Sequence, residues 1–75
     1  MVQIIPVGML RKYVNGQETM ALEGWAGRSV RKLIEHLGMP SPLVGAVLIH
    51  GELVTKDHLL QDGEEVKLIP IVGGG

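Results

Sequence analysis

The spacing of apolar residues along the chain separates strands from a single helix. Val2-Gln3-Ile4-Ile5-Pro6-Val7 is short and β-branched, which predicts a first strand. Pro6 lacks an amide donor and places the end of that strand at an edge or a bulge. Thr19-Met20-Ala21-Leu22-Glu23 alternates polar and apolar and predicts a second strand, closed by Gly24 and Gly27. Gly8 and the residues up to Asn15-Gly16 read as a turn region, with Asn15-Gly16 the strongest local hairpin signal. One segment has the helical period instead. Val30, Leu33, Ile34 and Leu37 fall at i, i+3, i+4 and i+7 behind Ser29, a suitable N-cap. Gly38 supplies a left-handed residue to end the helix, and Pro40 and Pro42 prevent its continuation.

The second half returns to strand patterns. Leu43–His50 is an apolar run with Gly45 and Ala46 in its middle, the profile of a buried central strand with a helix packed close above it. His50-Gly51-Glu52 predicts a turn into a short returning strand over Glu52–Thr55, and Asp57–Leu60 suits one helical turn. Asp62-Gly63-Glu64 is a tight turn feeding Glu65–Ile71, where Glu65 and Lys67 alternate with Val66 and Leu68. The predicted order is β-β-α-β-β-β. The first and last strands are both apolar, so they suit adjacent central positions. This is an α+β pattern of the β-grasp kind, a mixed sheet of about four or five strands against one main helix. No repeat or linker divides the sequence, so residues 1–75 read as a single domain.

Charge and composition narrow the function. Seven Lys+Arg against eight Asp+Glu leave no basic excess for a phosphate backbone, and one Trp, one Tyr and no Phe leave little for stacking bases. Nucleic acid is not an expected partner. Apolar stretches such as Val44–Ile49 fall far short of the roughly 20 residues that span a bilayer, and Met1–Pro6 has no leader pattern. The absence of cysteine removes disulfides, thiolate metal sites and a thiol nucleophile together, and fits a cytoplasmic setting.

The side chains offer no recognisable catalytic set. His36, His50 and His58 make no i, i+4 pair, and no acidic cluster completes a metal site. Ser29 is more economically a cap than a nucleophile, and Thr55, Asp57, Asp62, Glu64 and Glu65 have no evident base beside them. Glycines 8, 16, 24 and 27 do not form a phosphate loop. The expectation is therefore a chain with no catalytic residue, no metal and no bound cofactor of its own. Arg28, Arg31 and Lys32 read either as a solvated helix face or as a small basic contact patch.

Glycine carries the remaining signal. The chain has eleven, about twice the usual ~7%, and three of them are Gly73, Gly74 and Gly75. Pro70 biases itself and Ile69 toward extended backbone, which predicts that residues 70–75 project as a tail. Six residues reach about 20 Å, and glycine, without a Cβ, passes where no other residue fits. Ile69, Pro70, Ile71 and Val72 would supply anchoring surface to a partner.

Leu59-Leu60-Gln61-Asp62-Gly63-Glu64-Glu65-Val66, followed by Pro70 and the terminal glycines, resembles the L-x-D-G-D/E-E-V pattern of the ubiquitin-like MoaD/ThiS sulfur carriers. Val47-Leu48-Ile49-His50-Gly51 is similar to that family's V-x-V-N-G, and the helix start from Val30 to Leu33 and the leading strand also align. The tail looks closest to the small subunit of molybdopterin synthase, which typically ends F-P-P-V-x-G-G; here Ile69 stands for Phe, Ile71 for the second Pro, and a third glycine follows. His50 replaces the common Asn. The resemblance implies a protein co-substrate rather than an enzyme. A ubiquitin-activating-type adenylating enzyme would use ATP to activate the Gly75 carboxylate, and a sulfur donor would convert it to a thiocarboxylate. The sulfur would pass to the large subunit of molybdopterin synthase, or to another sulfur-accepting synthase, for molybdenum or tungsten cofactor synthesis. Gly75 would be the covalent carrier, with Gly73 and Gly74 giving clearance. The alternatives are a thiamin thiazole sulfur carrier, a non-covalent β-grasp interaction module and a ubiquitin-like modifier.

Overall fold

A computed structural model describes residues 1–71 of the chain. Five strands form one mixed sheet: β1 (Val2–Pro6), β2 (Met20–Leu22), β3 (Val44–Ile49), β4 (Glu52–Val54) and β5 (Glu65–Pro70), in the spatial order β2-β1-β5-β3-β4. The expected pairing of first and last strands holds, because β1 and β5 run parallel at the centre, with Ile4 opposite Val66 and Pro6 opposite Leu68. One helix, α1 (Val30–His36), covers one face of the sheet. Val2, Ile4, Val47, Ile49, Val66 and Leu68 from the strands meet Val30, Leu33 and Ile34 from the helix, and all are buried. The fold is a β-grasp.

The α1 ends show why so short a helix persists. Its first free amides are all satisfied, which the exposed end of an isolated helix lacks. Val30 N–H donates to His58 O at 2.9 Å and Arg31 N–H to Lys56 O at 2.8 Å. Lys32 N–H donates to Ser29 Oγ at 3.2 Å, so Ser29 is the cap its position predicted. At the other end Gly38 takes φ +75°, its amide donates to Glu35 O, and Met39 N–H donates to Ile34 O. These two bonds form a Schellman motif, closed by the buried side chain of Met39.

Three local expectations are corrected. Gly8–Val14 is a 3-10 helix and not an open turn, because it buries Leu10 and Val14 against the core; Asn15-Gly16 ends that helix and does not turn a hairpin. The tight two-residue hairpin lies at His50-Gly51, between β3 and β4, where both residues have positive φ as a type I′ turn requires. Asp57–Leu60 forms no helical turn. It runs extended enough for Leu59 to bridge Ser29, because His58 O is committed to the α1 amide of Val30, Leu60 O to Gly27 N–H, and Leu60 N–H to Arg28 O. Finally, Ser41–Leu43 is a short 3-10 turn, so β3 begins at Val44. No helix among the described residues is long and apolar enough to cross a membrane.

Candidate functional site

The turn that feeds β5 is fixed by the same residues that carry the sequence motif. Gly63 takes φ +89°, where an L side chain is strained, and its amide donates to Met1 O at 2.8 Å. Asp62 Oδ1 accepts from the N-terminal amine at 2.6 Å, and Gln3 N–H donates to Glu64 O at 3.0 Å. The Glu64 carboxylate accepts from Gln61 N–H at 2.7 Å and lies 3.2 Å from His58 Nε2. Leu60 is fully buried beneath the turn. Sequence reasoning left Glu64 and His58 without partners. The structure joins them six residues apart, as a brace for this loop. Together these contacts set the register of β5 against β1, and therefore where β5 ends.

Ile69, Pro70 and Ile71 sit at that end. Ile69 and Pro70 are the last residues of β5, half-buried, with Ile69 opposite Ala46 and Pro70 opposite Val44. Gly45 is thus an extra residue, a β-bulge, and it lets Val44 face the core while Ala46 turns to the open face. Ile71 is 53% exposed, and its amide donates to Leu43 O at 2.8 Å. The backbone of Ile71 passes directly against Gly45: a Cβ on residue 45 would stand 2.9 Å from Ile71 Cα and 3.2 Å from its nitrogen. The sequence reading assigned Gly45 to close helix packing. It is exposed, and the close neighbour is the departing chain. Of the segment 70–75 read as a tail, Pro70 and Ile71 are tied to the sheet, and Val72, Gly73, Gly74 and Gly75 lie outside the described residues.

The face of the sheet away from α1 presents a group of apolar side chains around the exposed Lys67 near this exit. Register places Ile5 and Leu48 on either side of Lys67, Leu53 beside Leu48, and Ala46 beside Ile69, all on one face. Leu53 is 72% exposed, and Ile69 and Leu48 are half-buried. No local pattern marks this patch, because Leu48 and Leu53 lie in separate strands and the β3–β4 pairing that joins them is tertiary. A groove of about 340 Å³ lined by Gly45, Ala46, Leu53 and Lys56 adjoins it.

Elsewhere the chemistry is sparse. Arg31 pairs with Asp57 at 3.1 Å on the surface, and Arg28 stacks over the Trp25 ring at 4.7 Å. Trp25, 6% exposed, also packs on His36 with ring centroids 5.0 Å apart. Trp25, Arg28 and His36, with Lys32, Glu35 and Leu59, line a second groove of about 750 Å³ whose charges are mixed. Among the described residues, no three His, Asp or Glu side chains converge on a metal-sized site.

Comparison with known proteins agrees with this geometry. Residues 8–75 match the profile of the ThiS family. The fold is similar to that of SAMP1 from Haloferax volcanii, with a TM-score of 0.70 at 20% identity over 99% of this chain and 98% of that one. No curated relative matches the sequence. With the family pattern covering the helix, the loop 59–66, β5 and the terminal glycines, the chain belongs to the ThiS family of ubiquitin-like sulfur carriers.

Proposed function

We propose that this protein carries sulfur on the carboxylate of Gly75 for molybdenum or tungsten cofactor synthesis, without catalysing a step itself. The carboxylate is a poor electrophile, because its oxygen is a poor leaving group. An adenylating partner solves this: a carboxylate oxygen attacks the α-phosphate of ATP, pyrophosphate leaves, and an acyl-adenylate forms. A hydrosulfide-level donor then attacks the carbonyl carbon and AMP departs, leaving the thiocarboxylate. That sulfur is the nucleophile offered to a second partner, the large subunit of molybdopterin synthase. Enclosure of the terminus protects the adenylate from water, and the small glycines Gly73 and Gly74 admit it to a closed channel.

The observation that carries this reading is the placement of the tail's root. β5, a central strand, ends at Ile69 and Pro70, with Ile71 next in the chain, beside the apolar side chains of Ile5, Leu48 and Leu53. A partner that covers that face also stands over the exit of the chain, so docking and delivery use one surface. The tail sequence Ile69-Pro70-Ile71-Val72-Gly73-Gly74-Gly75, similar to that of molybdopterin-synthase small subunits, supports this acceptor over a thiazole synthase. The test is activation by a cognate adenylating enzyme, followed as exchange of pyrophosphate into ATP. The full chain is expected to support exchange, and the chain lacking Gly74 and Gly75 to abolish it. A truncated chain that retains full exchange contradicts the reading. Supplying the charged protein to each synthase then separates the acceptors, and lysine-linked conjugates in place of sulfur transfer would establish the modifier alternative.

A further inference from the structure

We infer that Gly45 is a positioning residue for the tail. Its missing side chain sets the path by which the chain leaves the sheet, and so governs how the terminus reaches a partner's active site. This rests on the carrier reading for its functional half.

Gly45 is not required by backbone conformation. Seven other glycines among the described residues have positive φ, and Gly45 is not one of them. What the position cannot accept is volume. The nearest atoms to a Cβ there are the Cα, N and Cβ of Ile71, at 2.9, 3.2 and 3.4 Å, and two of these are backbone atoms that no rotamer change can move. At six of the seven positive-φ glycines a Cβ would meet nothing within 4 Å, so close approach distinguishes this position from the turn glycines. The bulge at Gly45 and the bond from Ile71 N–H to Leu43 O act on the same residue. The acceptor is itself braced: Lys56 Nζ donates to Ser41 O at 2.7 Å and to Ser41 Oγ at 3.0 Å, holding the Ser41–Leu43 turn that presents Leu43 O. Bulge, glycine and braced turn thus form one seat for Ile71, immediately before Val72 and the terminal glycines.

The role is distinct from docking. The apolar face of Leu48, Leu53 and Ile69 does not involve the would-be side chain of residue 45, so adding a methyl there displaces the exit while leaving the face in place. The experiment is Gly45→Ala in the full-length chain, read by amide hydrogen exchange and by activation kinetics. Exchange of the Ile71 amide is expected to rise roughly tenfold, with the amides inside β1 and β3 unchanged. With the adenylating enzyme, kcat is expected to fall about tenfold at nearly constant KM, since the face that binds is intact. Lys56→Met, which leaves Gly45 in place and loosens the acceptor, is expected to raise Ile71 exchange in the same direction and serves if Gly45→Ala fails to fold. Unchanged Ile71 exchange in a folded Gly45→Ala protein overturns the proposal. Raised exchange with unaltered kcat overturns the delivery role. A wild-type chain that no adenylating enzyme activates, while its Ile71 exchange still responds to Gly45→Ala, contradicts the carrier reading and supports the seat.

Discussion

His50 and Gly51 join β3 to β4 with two left-handed residues in succession, φ +50° and +82°. A histidine tolerates that conformation, but asparagine adopts it more readily through local hydrogen bonding, which gives a physical reason for the Asn of the related V-x-V-N-G pattern. His50→Asn is expected to raise stability by about 0.5 kcal/mol, read as a higher Tm. Gly63 faces the opposite case, because its φ of +89° leaves no good option for a side chain. Gly63→Ala is expected to cost more than about 1 kcal/mol, measured as a lower urea midpoint at unchanged m. The sequence marked three such dipeptides, Asn15-Gly16, His50-Gly51 and Asp62-Gly63, but did not rank them correctly. Asn-Gly is the stronger hairpin signal in isolation. Burial of Leu10 and Val14 overrides it by winding the preceding residues into a 3-10 helix, and that competition is not visible in a local pattern.

At the scale of elements, α1 is seven residues long and too short to persist alone in water. It is held by a cap at Ser29, a Schellman end at Gly38, and two amides borrowed by the 56–58 carbonyls. Ser29→Ala removes one acceptor and is expected to cost about 1 kcal/mol in chemical denaturation. The helix was legible from Val30, Leu33, Ile34 and Leu37 because period and caps agree. The 57–60 segment was not, since its conformation is dictated by what it donates to and accepts from α1. The motif Leu60-Gln61-Asp62-Gly63-Glu64 reads differently once seen in place. Every member closes a turn, fills the core or braces the loop, so the motif sets the register of β5.

For the whole molecule, the strand order was legible in outline because β1 and β5 are both apolar on the face toward α1, and parallel strands buried together need such residues. The open face was not, because its apolar members come from four strands and meet only through register: Ile5, Leu48, Leu53 and Ile69. We propose that face as the docking surface for partners. Leu48→Asp and Leu53→Asp are expected to raise KM for the adenylating enzyme about tenfold or more while leaving the thermal transition near that of the wild type, since neither side chain belongs to the core. Equal KM values for both variants and the wild type would remove the face from the account.

Sulfur carriage on the terminal glycine is the proposal on which the other roles depend. It is tested most directly by intact-mass spectrometry of the full-length protein after incubation with ATP, a cognate adenylating enzyme and a sulfur donor. The expected result is a mass gain equal to one oxygen-for-sulfur exchange, located by fragmentation to Gly75. An unchanged mass, under conditions in which the same enzyme charges a carrier of its own, would contradict it.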